Sequence, residues 1–268
     1  MREYSCTKQY SCIVNNMNIS LESDSIVITG GAVRLGRAIA LACARAGANV
    51  AITYHHSADQ ARQTLDELRA IGSQGARFAM VRVDLTQKGA SEYVRDEAQK
   101  AIGEATALVN NAAIFRRTPF AGMSEDDFDD HINANLKAPY LLCKTFGDEF
   151  LSRGGGAIIN IADIYGLRPL KNYAPYCVSK AGLVMLTQTL ALALAPTVRV
   201  NCICPGTILP PSQEQGEADA EAVLLKKIPL RRLGDLDEIG ATAVFLLGGP
   251  AFISGAVLPV DGAQSLRP

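Results

Sequence analysis

Short apolar runs rich in β-branched residues alternate along this chain with Ala-rich or amphipathic segments, and that alternation restricts the fold more than any other property. Strands are expected near 25–30, 49–54, 77–83, 107–110, 157–161, 198–203 and 256–260, and helices near 34–46, 58–72, 88–102, 125–152, 175–195 and 235–248. Strands separated by helices run parallel, with each helix serving as a crossover. The expected fold class is therefore α/β: a doubly wound domain over 25–268 with a mainly parallel seven-stranded sheet. Residues 1–24 read as a polar N-terminal extension, loosely ordered apart from a strand-like Ile13-Val14. This segment has no sustained apolar stretch of the kind a signal peptide needs.

Ligands bind such sheets outside the carboxyl ends of the strands. Gly30, His55, Asp84, Asn111, Asp163 and Pro205 all fall at those ends, so one crevice is expected to collect them. The first strand leads into Thr29-Gly30-Gly31-Ala32-Val33-Arg34-Leu35-Gly36, which opens an Ala-rich helix. Gly30 permits a tight turn, Gly36 permits close packing of helix on strand, and the free N–H groups of the helix start attract a pyrophosphate. The second strand ends in Tyr54-His55-His56-Ser57. An NAD site requires a carboxylate here to hold the ribose 2′-hydroxyl. None is present, so a 2′-phosphate meets no repulsion and can take hydrogen bonds from His55, His56 and Ser57, with Arg34 adding a permanent charge. The expected cofactor is NADP(H).

Further along, Tyr176 and Lys180 are spaced Tyr-x-x-x-Lys at the start of an apolar helix. Both side chains fall on one helical face. An ammonium beside a phenol favours the phenolate, and so is expected to lower the tyrosine pKa and make it a usable acid or base.

Composition fits an enzyme acting on a small molecule. The formal net charge of −1 gives no electrostatic case for nucleic acid or an anionic membrane. No apolar stretch is expected to reach the length of a membrane span. The seven cysteines, at positions 6, 12, 43, 143, 177, 202 and 204, lack the paired spacing of a zinc site and read as thiols in a reducing, cytoplasmic compartment. Cys202 and Cys204 point to one side of a strand.

From about Ser25 to Gly262 the chain resembles the short-chain dehydrogenase/reductase family, whose domain is Rossmann-like. The resemblance rests on the glycine turn (with Arg34 at its middle glycine), Asn110-Asn111-Ala112-Ala113, Asn135 in Ile132-Asn-Ala-Asn135-Leu, the Tyr176/Lys180 pair, Pro205-Gly206 and Val260-Asp261-Gly262. Asp163 stands where most members carry a catalytic Ser. Arg34, Asp163, Phe115 and the run Tyr54-His55-His56-Ser57 together resemble the pteridine reductases, although Ala113 and His56 depart from that subgroup's pattern.

The resemblance implies that the cofactor is held by Gly30, Arg34, Leu35, Gly36, His55, His56, Ser57, Asp84, Leu85, Asn111, Ala112, Pro205 and Gly206, together with Tyr176 and Lys180. Asp84 would contact the adenine and Lys180 the nicotinamide ribose. Tyr176 would donate the proton, assisted by Asp163 at a ring nitrogen, and Asn135 would hold a water linking Lys180 to solvent. Substrate would meet Phe115, Arg34, Asp163 and Tyr176, with Phe115 stacked on a pterin. No metal site is expected. A homotetramer is implied, built on the two long helices; the second carries the apolar residues Leu183, Leu186, Leu190 and Leu194. Two other readings stay open: an NADPH-dependent carbonyl reductase, such as a 3-oxoacyl thioester reductase with Arg116, Arg117, Arg168 and Lys171 available near its entrance, and a non-catalytic NADP-binding sensor.

Overall fold

The computed structural model describes residues 19–208 and 224–267. The strand-like Ile13-Val14, Cys6 and Cys12 lie outside them. Seven strands form one sheet: β1 (Ser25–Ile28), β2 (Asn49–Tyr54), β3 (Phe78–Arg82), β4 (Ala107–Asn110), β5 (Gly156–Ile161), β6 (Val198–Pro205) and β7 (Val257–Val260). Their order is β3-β2-β1-β4-β5-β6-β7, and every pairing is parallel. The helices are α1 (Arg34–Arg45), α2 (Ala58–Ile71), α3 (Ala90–Ile102), α4 (Glu125–Ile132), α5 (Ala138–Arg153), α6 (Ala174–Ala193) and α7 (Leu236–Gly248).

Alternate residues of each central strand feed two separate cores. Ile26, Ile28, Val50, Ile52, Ile159 and Ile161 pack under α1, α2 and α7 against Ile39, Leu68, Ile239 and Val244. Val27, Ala51, Leu108, Ile158 and Val200 face α3, α5 and α6 and meet Val94, Ile102, Leu142, Phe146 and Phe150. A sheet covered on both faces explains why its strands read as nearly unbroken apolar runs. The chain winds outward from β1 to β3, then crosses back to β4 beside β1. The β1/β4 junction is thus the topological switch point, where a crevice opens.

Three expectations need correction. Residues 19–24 belong to the folded domain and not to a loose extension. Leu21 is buried at 1% exposure, its N–H donates to the Ala46 carbonyl, and the Asp24 carbonyl accepts from Asn49. The helix expected over 125–152 is broken by a π-helical turn, Asn133–Lys137, in which the Ala138 N–H reaches back to the Asn133 carbonyl. Pro139 explains the break, since it has no N–H to donate and its ring crowds the preceding turn. Finally, α6 is long and apolar enough to cross a membrane by length and composition, with 20 residues and mean hydropathy 1.2. Its buried face, however, carries Tyr176, Ser179, Lys180 and Thr187 and packs on the sheet.

Candidate active site

The glycine turn between β1 and α1 is pinned from two sides. Asn111 Nδ2 donates to the Thr29 carbonyl at 2.9 Å and the Gly30 carbonyl at 3.1 Å. The Thr29 hydroxyl accepts from the Asn111 and Ala112 N–H groups, and the Gly30 N–H donates to Thr53 Oγ1 at 3.2 Å. Gly30 has φ +63°. A Cβ on Gly36 would run into the Gly30 carbonyl oxygen and the Asn111 amide, so side chains are excluded where α1 meets the turn. Arg34 holds φ +50° without being glycine.

The start of α1 carries no acidic residue and no side-chain cap. Its first N–H groups have no intrahelical acceptors, and the helix dipole adds positive potential there. A cradle that excludes side chains, is rich in N–H donors and lacks negative charge fits the pyrophosphate of a dinucleotide.

A cavity of about 660 Å³ runs from this turn along the carboxyl ends of the strands. Its lining includes Gly30, Arg34, Leu35, Gly36, His55, His56, Ser57, Asp84, Leu85, Asn111, Ala112, Phe115, Asp163, Tyr176, Lys180, Pro205 and Gly206. Every residue expected at the site lies on its wall except Asn135. The His55 and His56 ring centroids lie 3.7 Å apart, with the planes tilted by 35°. The Asp84 carboxylate accepts from the Thr86 N–H and hydroxyl and from Gln87. These bonds, with smaller help from His55, hold its pKa below the ordinary carboxylate value.

At the other end of the cavity, the Tyr176 hydroxyl donates to Asp163 Oδ2 at 2.7 Å. Asp163 ends the β5 segment, and its Oδ1 accepts the Tyr165 N–H at 2.8 Å. Lys180 is buried and donates to the Ile161 carbonyl at 2.8 Å, with its Nζ 5.8 Å from the centre of the Tyr176 ring. Burial raises the Asp163 pKa despite its hydrogen bonds and the nearby Lys180. Burial likewise lowers that of Lys180. The expectation that Lys180 lowers the tyrosine pKa is not met. Tyr176 is held well above its ordinary value, first by burial and then by the Asp163 charge and hydrogen bond. Geometry adds to the burial: the phenolic oxygen faces the carboxylate, whereas the ammonium lies over the ring.

Asn135 sits one layer behind the cavity, fully buried. Its Oδ1 accepts the Ile114 N–H at 2.8 Å, and its Nδ2 donates to the Ile114 carbonyl and Ser179 Oγ. It therefore fixes the cavity wall next to Phe115. Phe115 lies stacked on Tyr173, with centroids 4.6 Å apart, and meets the Tyr176 ring edge-on at 4.7 Å. The sequence reading missed Thr29, Thr53, Ser179 and Tyr173. Thr29 lies within the quoted glycine turn, but only the tertiary contacts reveal what these four residues hold. Cys202 and Cys204 do share a side of β6, with Sγ atoms 3.8 Å apart in the core. Among the described residues, no cluster of metal-ligating side chains occurs.

A dinucleotide cradle and a buried tyrosine–lysine pair at the switch point of a parallel sheet define a nicotinamide-dependent oxidoreductase. Comparison with known proteins gives the family. The profile described as Enoyl-(Acyl carrier protein) reductase matches residues 31–263. The chain is 33% identical over 253 residues to 3beta-hydroxysteroid dehydrogenase 1 of Eggerthella lenta, covering 92% of this chain and 96% of the relative. It is 32% identical over 242 residues to the 3-oxoacyl-[acyl-carrier-protein] reductase FabG of Staphylococcus epidermidis, covering 90% and 98%. Among solved structures, a Sinorhizobium meliloti protein assigned to the short-chain alcohol dehydrogenases superposes with TM-score 0.86 at 30% identity, covering 93% of this chain and 99% of the other. A variant of the actinorhodin polyketide ketoreductase, solved with NADPH, superposes with TM-score 0.84 at 25% identity, covering 91% and 98%. The chain belongs to the short-chain dehydrogenase/reductase family.

Proposed function

We propose that the protein is an NADPH-dependent reductase of a small carbonyl compound, with Tyr176 as its proton donor. One observation carries this reading: the Tyr176 hydroxyl and the N–H-rich start of α1 line the same cavity. When bound, NADPH supplies a hydride, so that a ketone and one proton become a secondary alcohol and NADP⁺ remains.

The residues of the chain manage the proton. Tyr176 O–H gives its proton to the substrate oxygen as negative charge develops there. Asp163 stands where the family carries Ser, and its carboxylate accepts the phenolic O–H at 2.7 Å, which keeps the hydroxyl at the cavity wall. Lys180, fixed by the Ile161 carbonyl, places a positive charge near the tyrosinate left behind. Preference for NADPH is supported by the absence of a carboxylate at the end of β2 and by Arg34, His55, His56 and Ser57 on the cavity wall.

A carbonyl substrate, such as a 3-oxoacyl thioester, is favoured by the relatives that act on oxo or hydroxy groups by name. A second reading, reduction of a dihydropterin, is favoured by Asp163 against Tyr176 and by the aromatic wall at Phe115. Initial rates of NADPH oxidation with an acetoacetyl thioester, a quinone, dihydrobiopterin and dihydrofolate decide between them. A kcat/KM higher for either dihydropterin than for the thioester and the quinone overturns the carbonyl reading. No turnover across a broad panel, despite NADPH binding, favours the non-catalytic sensor.

A further inference from the structure

His131 lies on the last turn of α4 and is fully buried. Its Nδ1 is 2.7 Å from the Asp127 carbonyl oxygen. A carbonyl oxygen can only accept, so Nδ1 carries a hydrogen. Nε2 is buried with no protein partner among the described residues. The Asp127 contact selects the tautomer with its hydrogen on Nδ1. The ring stands edge-on to Tyr176, with centroids 6.4 Å apart and planes at 78°.

Four residues on, one helical turn away, Asn135 holds the Ile114 backbone and Ser179. One face of the α4 segment thus supports Tyr176 through His131 and the adjoining cavity wall through Asn135. The Tyr176 ring is otherwise bounded by the Phe115 ring and the Lys180 ammonium, and only its hydroxyl is tied, to Asp163.

We propose that His131 is a positioning residue for Tyr176: an imidazole, locked by the Asp127 carbonyl, that sets the rotation of the phenol ring and so the direction of its O–H. A buried aromatic at this place completes the cage around the ring. The imidazole needs no proton transfer of its own for that task. The inference rests on Tyr176 being the proton donor, a role that Tyr176→Phe tests separately.

The experiment is steady-state kinetics on His131→Ala, His131→Asn and His131→Phe with NADPH and the best substrate, beside NADPH binding by fluorescence and thermal melting. His131→Ala is expected to lower kcat on the order of 10- to 100-fold, because small misplacement of a reacting group is costly, while the Kd for NADPH stays within about twofold. His131→Phe, which keeps a ring but no titratable nitrogen, is expected to restore most of kcat. His131→Asn, which keeps a donor for the Asp127 carbonyl but no ring, is expected to restore little.

Unchanged kcat in His131→Ala overturns the proposal, as does better rescue by Asn than by Phe. A fall in kcat that tracks loss of NADPH affinity and of melting temperature across all three variants assigns His131 to general packing, and also overturns it. If Tyr176→Phe retains activity, the proton-donor reading fails first, independently of His131.

Discussion

Tyr176 and Asp163 are thirteen residues apart in sequence and 2.7 Å apart in space, joined by a phenolic O–H donated to a half-buried carboxylate. The contact ties α6 to the carboxyl end of β5. It also sets two ionisable groups against each other: the carboxylate charge opposes formation of the phenolate, and burial opposes the charge on both.

Tyr176→Phe removes the proton donor and little else. Turnover is expected to fall by roughly 10²- to 10⁴-fold, with NADPH affinity close to wild type by fluorescence titration. Retention of most activity with every substrate refutes the assignment.

Asp163→Ser separates the two substrate readings. If the enzyme reduces a carbonyl, the substituted hydroxyl should keep or raise turnover of the thioester. If it reduces a dihydropterin, that activity should drop, and Phe115→Ala should weaken it further than it weakens reduction of a small ketone. Aromatic pairing is worth about 0.5–1.5 kcal/mol beyond area burial.

Asp163 also predicts a pH dependence of stability. Its pKa is raised in the folded state, so the native protein binds more protons than the unfolded chain at pH values between the ordinary carboxylate pKa and the raised one. Stability is therefore lost from this group as pH rises through that window. Asp163→Asn should melt at a higher temperature than wild type at neutral pH, and the gain should shrink as pH falls through that window and level off below the ordinary carboxylate value. A constant difference across the pH range counts against a strained buried carboxylate.

Cofactor preference is expected to follow the end of β2. NADPH should exceed NADH in kcat/KM, and Ser57→Asp should shift the ratio toward NADH by placing a charge against the 2′-phosphate. Arg34→Gly should weaken NADPH binding while raising the melting temperature, because a non-glycine residue at φ +50° stores strain of about 1 kcal/mol. Equal kcat/KM for the two cofactors in the wild type sinks the NADPH reading.

A homotetramer is the expected assembly. The stripe expected at the interface turns inward: Leu183 is buried, and Leu186, Leu190 and Leu194 pack against the cores; the exposed apolar residues of α6 are instead Val178, Met185 and Leu192, which repeat every seven residues and are 50%, 60% and 84% exposed. Tyr140, Leu141 and Leu151 on α5 are exposed as well. An apolar stripe of this length on a free surface marks a contact. Light scattering at micromolar concentration should give four subunits, and Met185→Glu should give a smaller species. A wild-type monomer contradicts the expectation.

The α/β class, the order of strands and helices and the crevice at the strand ends were legible in the chain. Each rests on local periodicity and on the parallel pairing it forces: Ser25–Ile28 and Asn49–Tyr54 can only be strands buried on both faces, and Gly30 and Gly36 can only serve a turn that packs backbone on backbone. Tyr176, Lys180 and Asp163 were identifiable by residue type and spacing. What spacing could not give was direction. The phenolic hydroxyl is buried and faces Asp163, so its pKa moves up and not down. Phe115 rests on Tyr173, and Asn135 braces Ile114 from behind the cavity. Each of these depends on contacts between residues far apart in the chain, whose burial and hydrogen-bond geometry exist only once the sheet has brought its strand ends together.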